Sequence, residues 1–189
     1  MFIEQQNGKN KGSIEVVCGS MFSGKTEELI RRIERARFAK LKTKIFKPKV
    51  DTRYHETKVV SHSSTSIDSI PVESAKSILT LANNTQVVGI DEAQFFDEGI
   101  IEVCEFLADR GTRVIIAGLN LDSDGNPFGS MPTLLSKADF ITKLHAICVE
   151  CGDLAQFTSC KDDKQQLVLL GETDTYEPLC RMCYKKLGS

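Results

Sequence analysis

Apolar residues recur along this chain in two rhythms. Short apolar runs read as buried strands, and stretches with apolar residues three and four apart read as helices between them. Ile14, Val16, Val17 and Cys18 form the first run. Glu27 to Phe38 follows with helical spacing, placing Leu29, Ile30, Ile33 and Ala36 on one face. Arg31, Arg32, Glu34, Arg35 and Arg37 lie elsewhere around that helix and read as its solvated side. Lys44-Ile45-Phe46-Lys47 is a second strand, which Pro48 ends. Val59-Val60 and Ile67 to Val72 are candidate short strands next to a Ser- and His-rich loop stretch, His55 to Ser69. Ser74 to Ala82 has weak helical character, and Gln86 to Ile90 is a strand. Asp97 is placed to cap a helix from Glu98 to Arg110, whose wide apolar face takes in Ile100, Ile101, Val103, Cys104, Phe106 and Leu107; Gly111 stops it. Arg113 to Gly118 is another buried strand, Pro132 to Ala138 a short helix, and Phe140 to Ile147 a further strand. Strands alternating with helices imply an α/β domain with a mainly parallel sheet covered on both faces.

Chemistry enters where the first strand stops. Gly19-Ser20-Met21-Phe22-Ser23-Gly24-Lys25-Thr26 fits G-x-x-x-x-G-K-[ST], between a strand and a helix N-terminus. Gly19 and Gly24 permit backbone shapes that a side chain would block, so successive N–H groups can curl around an anion. Lys25 adds a point charge on the terminal phosphates, and the Thr26 hydroxyl can bind Mg²⁺. A chance match in a Gly/Ser-rich turn is the competing reading, and the flanking strand and helix weigh against it. Downstream, the Gln86–Ile90 strand ends in Asp91-Glu92, the Mg²⁺-organising arrangement of P-loop nucleotide-binding proteins. Glu92, next to the metal-side acid, is placed to take a proton from an attacking hydroxyl. Asp51 and Arg53 lie just beyond a strand end. Their types fit either nucleotide holding or a surface ion pair. Leu119 to Gly129, rich in Asn, Asp, Gly and Pro, is a loop at a strand's C-terminal end, where open α/β sheets bind ligands.

Composition narrows the picture. With 189 residues and 41% hydrophobic content the chain can form one domain with a real core and a small appendage. A formal net charge of -2 gives no global pull toward nucleic acid or anionic lipid. No stretch approaches the ~18 apolar residues of a membrane span. Residues 1–12 read as a polar leader without a signal-peptide apolar core, so a cytoplasmic location is expected. The seven cysteines are then thiols or metal ligands rather than disulfides. Cys148-Val149-Glu150-Cys151 and Cys180-Arg181-Met182-Cys183 are two C-x-x-C knuckles, enough for a closed tetrahedral zinc site. Such a site has no open position for water, so its role is structural. The division expected is a leader (1–12), a nucleotide-binding domain (13–147) and a metal-stapled ribbon (148–189). Between the knuckles, Gln165 to Leu170 reads as extended and apolar, and Tyr176 has ordinary packing on the ribbon as its simplest reading. Cys18 and Cys104 lie in apolar runs and are expected to be buried; Cys160 receives no role.

Gly19 to Thr26, Lys47-Pro48-Lys49-Val50-Asp51-Thr52-Arg53-Tyr54, Asp91-Glu92-Ala93-Gln94-Phe95-Phe96, Pro127-Phe128-Gly129 and the knuckles around Gly171 to Tyr176 together resemble one family: the type II thymidine kinases, of the human cytosolic type. The likeness runs from about Gly12 to Leu187. It implies a P-loop NTPase core with a small C-terminal zinc ribbon, and transfer of the ATP γ-phosphoryl to the 5′-hydroxyl of thymidine. Glu92 then matches the catalytic base and Asp91 the magnesium-side acid. Asp91, Glu92, Ala93 and Gln94 form a nucleotide-contacting tetrad, and Asp51 and Arg53 match the family's Asp-x-Arg near the nucleotide. Met21, Phe95, Leu119 and Phe128 match the thymine pocket. Leu167, Val168, Leu169, Leu170 and Gly171 match the lasso, whose backbone bonds the base and sugar. Tyr176 matches a substrate-contacting tyrosine. A homotetramer and feedback inhibition by thymidine triphosphate are implied as well. One departure stands out: Ser123 occupies a position where the family commonly places an aromatic ring on the base.

Two other classes were weighed. A zinc-ribbon P-loop ATPase that grips nucleic acid would want a basic patch or an aromatic-basic run, and the ribbon is mixed in charge. A GTPase switch would want an Asn-Lys-x-Asp-type guanine reader, and the sequence contains none.

Overall fold

A computed structural model of the chain describes residues 11–49, 58–60, 66–161 and 175–187. The elements run β1 (Ser13–Cys18), α1 (Lys25–Phe38), β2 (Thr43–Pro48), β3 (Lys58–Val60), β4 (Ser66–Asp68), β5 (Ile70–Val72), α2 (Ala75–Leu81) and β6 (Val87–Ile90). A 3₁₀ turn over Ala93–Phe95 leads to α3 (Gly99–Asp109), β7 (Arg113–Gly118), α4 (Met131–Lys137) and β8 (Phe140–Lys143). The chain ends in β9 (Ala146–Ile147), β10 (Leu154–Ala155), β11 (Phe157–Cys160), β12 (Tyr176–Leu179) and α5 (Arg181–Leu187).

Six strands form one sheet in the order β5-β2-β6-β7-β1-β8, every neighbouring pair parallel. Parallel strands need covered faces, and the alternation along β7 shows how both are filled. Val114 and Ile116 point into a core shared with α2, α3 and α4, around Phe46, Ile78, Ile100 and Leu134. Ile115 and Ala117 point the other way, onto Leu29, Ile30, Ile33 and Ala36 of α1. Each fully buried Leu, Ile or Phe contributes ~1.5–3 kcal/mol, so these two layers carry the domain. Gly89 sits where α1 crosses β6: a Cβ there would lie 3.2 Å from Ile33 Cδ1 and 3.3 Å from Ile45 Cγ1.

The sequence reading needs four corrections. Arg32 is not on a solvated face. It is 3% exposed, and its Nη1 bonds Glu15 Oε2 at 2.7 Å, with Glu15 itself 2% exposed on β1. Arg113 completes the pair from β7 through Glu15 Oε1, while Glu28 and Thr142 take the remaining Arg32 donors at 2.8 Å each. A carboxylate between two guanidiniums satisfies the charges that burial would otherwise penalise. Second, the apolar stretch from Phe140 to Ile147 is two strands. β8 closes the parallel sheet beside β1, with Phe140 and Ile141 exposed, whereas β9 pairs antiparallel with β10. Third, β2 is longer than Lys44–Lys47: it runs Thr43–Pro48 and does end at Pro48, level with Val72 of β5. Fourth, Phe106 leaves the buried face of α3, is 46% exposed, and carries the Arg110 guanidinium 5.0 Å from its ring centre. Asp97 does more than cap one helix: its Oδ1 accepts from Gly99 N and its Oδ2 from Ala75 N, both at 3.0 Å, tying the starts of α3 and α2 together.

The C-terminal unit is built from two small antiparallel pairs, β9–β10 and β11–β12, and the short α5. Its buried centre is Ala146, Cys148, Ala155, Leu179 and Cys180, with Phe22, Cys183 and Tyr184 packed at the margin.

Candidate functional site

The phosphate-binding loop has the shape its sequence requires. Gly24 is left-handed at φ 84 and caps α1, and Glu28 N closes the first turn onto Gly24 O at 3.0 Å. At Gly19 a Cβ would lie 2.4 Å from Leu144 O, because the end of β8 runs across the start of the loop. Ser20 O is the loop's internal hub, accepting from Lys25 Nζ at 2.7 Å and Ser23 Oγ at 2.8 Å. The ribbon braces the same loop from outside. Met21 N donates to Thr158 Oγ1 at 3.0 Å, Ser20 Oγ to Ala155 O at 3.4 Å, and Phe22 packs on the ribbon's core. No local sequence signal points to Thr158, which lies 137 positions from its partner.

Asp91 follows β6, and β7 separates β6 from β1, so the acid starts about 10 Å from the loop. Thr26 closes that gap: its Oγ1 donates to Asp91 Oδ2 at 3.3 Å, and Asp91 is buried. The hydroxyl and carboxylate thus meet at the first turn of α1, a hard-oxygen pair suited to a divalent cation beside phosphates. Glu92 comes next with φ 50 and ψ 45, a left-handed geometry costing a non-glycine residue on the order of 1–2 kcal/mol. It is held there by Gln94, whose Nε2 donates to Glu92 Oε2 at 2.5 Å and whose Oε1 accepts from Leu119 N at 3.0 Å. Gln94 therefore joins the acidic turn to the loop after β7. Gly118 and Gly129 make room for it, since a Cβ on either would lie within 2.9 Å of a Gln94 oxygen.

That loop is a compact hairpin. Leu121 and Pro127 form a bridge, and Asp122 Oδ1 accepts from Asp124 N at 3.0 Å and Asn126 N at 2.8 Å. Phe128 meets Phe95 edge-on at 5.6 Å and 87°, while Leu119 is buried at the hairpin's base. A cavity of about 410 Å³ opens at this end of the sheet, between Pro48 and Val72 on one side and Phe95 and Phe96 on the other. Tyr176 is buried at the start of β12, level with Cys160 of β11. Ala93 is buried within the 3₁₀ turn. Asp51, Arg53, Leu167, Val168, Leu169, Leu170 and Gly171 lie outside the described residues.

The four knuckle cysteines do converge. The sulfurs of Cys148, Cys151, Cys180 and Cys183 all lie within 4.8 Å of one another, and Cys151 and Cys180 are 3.6 Å apart. A tetrahedron with Zn–S bonds of ≈ 2.3 Å has edges of about 3.8 Å, so the set fits that ion. Gly152, at φ 76, turns the first knuckle, with Gly152 N bonded to Cys148 O at 2.9 Å. Burial opposes ionisation of Cys148, but main-chain N–H groups of Cys180, Cys151 and Glu150 outweigh it and draw the thiol down to about 6. The two core thiols behave oppositely: burial pushes Cys104 up to about 12, and burial likewise raises Cys18. They are packing residues, not nucleophiles.

A parallel sheet with a phosphate loop after its first strand, a Thr–Asp pair beside it and a four-cysteine ribbon folded against the loop define a P-loop nucleotide-binding fold with a ribbon whose four cysteines could hold a metal ion. The family model described as thymidine kinase matches residues 12–184. The chain belongs to the thymidine kinase family. It is similar to "Thymidine kinase" of Bacteroides thetaiotaomicron, 62% identical over 95% of this chain and 90% of that one. It is 60% identical to that of Bacteroides fragilis, over 96% and 91%, and 56% identical to that of Porphyromonas gingivalis, over 95% and 88%. Among the described residues no helix is long and apolar enough to cross a membrane.

Proposed function

We propose that this protein transfers the γ-phosphoryl group of ATP to the 5′-hydroxyl of thymidine. The observation that carries this reading is the Thr26–Asp91–Glu92–Gln94 array beside the phosphate loop, in a chain of this family. Backbone N–H groups of Gly19 to Thr26 and the Lys25 ammonium hold the triphosphate. Thr26 and Asp91 are the residues that would hold Mg²⁺, which, when bound with ATP, offsets charge on the phosphate oxygens. Glu92 takes the proton of the 5′-hydroxyl as it attacks phosphorus, and the Gln94 amide aims the carboxylate. Leu119, Phe95, Phe128 and Met21 wall the thymine, Tyr176 contacts the substrate, and the backbone of Leu167 to Gly171 bonds the base and sugar. Asp51 and Arg53 complete the nucleotide contacts.

Zinc is the ion proposed for the four cysteines, where it would supply folding free energy and no chemistry. The same reading includes inhibition by thymidine triphosphate, a homotetramer and cytoplasmic residence. The two working units are 13–147 and 148–189, and β9 (Ala146–Ile147), at the end of the first, already pairs with β10 of the second.

The test is labelled-phosphate transfer to thymidine, deoxycytidine, deoxyadenosine and deoxyguanosine. Thymidine is expected to be the strongly preferred acceptor. Glu92→Gln should lower kcat by about 10²–10⁴-fold while ATP affinity stays within twofold. Near-wild-type turnover in that variant would remove Glu92 from the base role, and phosphate transfer to none of the four nucleosides would end the reading.

A further inference from the structure

The hairpin after β7 is held at both ends. Its base is fixed by Gln94 through Leu119 N, and its tip by a residue of the ribbon: Tyr184 Oη donates to Ser123 O at 2.6 Å. Nothing in the local sequence of either segment announces this contact, which spans 61 positions. Tyr184 is itself held firmly. Its N–H bonds Cys180 O at 2.9 Å within the second knuckle, and its ring stacks on Phe157 at 4.5 Å and 13°. Arg181 covers the Phe157 ring at 5.1 Å. The next residue along β11 is Thr158, the acceptor for Met21 N. One rigid piece of the ribbon therefore touches the phosphate loop on one side and the hairpin tip on the other.

The contact is fitted as well as formed. Gly125 is left-handed at φ 78, and a Cβ there would stand 3.4 Å from Tyr184 Oη and 3.7 Å from the Phe157 ring. The hairpin tip thus lies against the aromatic pair.

We propose that Tyr184 is a positioning residue for the nucleoside: its hydroxyl locks the tip of the hairpin whose base carries Leu119 and Phe128, so that the ribbon sets where the thymine wall stands relative to the phosphate loop. This role rests on the reading of that hairpin as the thymine wall. It goes beyond that reading in assigning the alignment to a residue that touches neither substrate. It also gives Ser123 a purpose in place of a ring. Through its main-chain oxygen, Ser123 is the hairpin's attachment point to the aromatic pair of the ribbon.

The experiment is steady-state kinetics on full-length, metal-loaded Tyr184→Phe, which keeps the stack on Phe157 and loses only the hydroxyl. Losing this part-buried hydrogen bond should raise the thymidine KM by about fivefold to tenfold. kcat at saturating thymidine and the ATP KM should stay within twofold, with metal content and Tm unchanged. Amide exchange at Gly125 and Asn126 should speed up in the same variant. Tyr184→Leu, which also loses the stack, should move the thymidine KM further in the same direction. An unchanged thymidine KM in an active Tyr184→Phe enzyme overturns the role and leaves the kinase reading standing. A parallel loss of kcat, both KM values and Tm also overturns it, because that pattern marks a merely structural residue. Failure of the wild-type enzyme to phosphorylate thymidine removes the function and this role with it.

Discussion

The parallel-sheet domain and the ribbon solve the same problem by different physics. The sheet domain has two apolar layers, each filled by branched side chains from strands and helices, and its stability is spread over many contacts. Among the described residues the ribbon's buried cluster is five, two of them alanine and two of them cysteine. A core of that size cannot offset the conformational entropy of ordering its loops. The stabilisation proposed for it is an ion held by the four converging thiols. On that proposal the sheet domain is expected to stand without the ribbon, and the ribbon to need its ion. Both loops that surround the proposed substrate lean on the less autonomous partner.

Metal removal breaks this comparison most directly. Structural zinc contributes on the order of 10 kcal/mol to such a unit. A chelator, or Cys151→Ser with Cys183→Ser, should abolish amide protection across 146–160 and 176–187 and keep it in β1, β6 and β7. Thymidine phosphorylation should fall by more than about 10²-fold, since the hairpin and Met21 lose their braces. Hydrogen exchange read by mass spectrometry decides the matter. Uniform loss of protection would mean that the two regions are one cooperative unit.

The sheet domain has its own concentrated feature, the Glu15–Arg32–Arg113 cluster. Glu15→Ala leaves two guanidiniums facing an apolar layer, and breaking such a pair costs ~3–5 kcal/mol. Chemical denaturation should show that loss in the main transition, while metal content stays at the wild-type level. A smaller probe is Gly89→Ala, whose Cβ would press on Ile33 and Ile45 at 3.2 and 3.3 Å. Overpacking of this kind costs ~1–3 kcal/mol. Because Ile33 lies on the helix that starts at Lys25, the ATP KM should rise with it, and a fall in stability with no change in ATP binding would show that α1 absorbs the strain locally.

How much of this was legible beforehand depends on reach. The phosphate loop, Asp91-Glu92 and the knuckles are contiguous patterns whose chemistry is local, and each lies where its motif predicts. The central strands β1, β2, β6 and β7 were equally visible, because a parallel strand covered on both faces is a run of apolar residues. What escaped was set by distant partners. Glu15 sits inside such a run and looked incidental until Arg32 and Arg113 met it. Ile141 and Ile147 continued an apolar rhythm, yet the chain changes sheets between them, with Leu144 N bonding Cys18 O at 2.8 Å at the switch. Thr158 and Tyr184 carry no motif at all; only the docking of the ribbon gives them work. The left-handed backbone of Glu92 was likewise unreadable, since no glycine marks it.

The smallest effect separates surface electrostatics from the buried cluster. Glu28 bonds the exposed Arg31 at 2.6 Å and the buried Arg32 at 2.8 Å. The hydrogen bond from Arg31 lowers the Glu28 carboxyl below its ordinary value; burial opposes this, and Arg32 adds to it. A carboxyl depressed in the folded state contributes stability that is fully present above its unfolded pKa and is lost as pH falls through the folded one. Glu28→Gln should therefore cost about 0.5–1 kcal/mol at neutral pH and less as the medium is acidified below the ordinary carboxylate range. At neutral pH Glu15→Ala should cost more than Glu28→Gln, because it leaves two permanently charged guanidiniums without their buried partner. Denaturation midpoints for both variants across the acid limb, at low and high salt, make the distinction. Salt should shrink the Glu28 effect and spare that of Glu15. If the two variants tracked each other, the cluster would be acting as one screened network, and the sheet domain would depend on charge more than its apolar layers suggest.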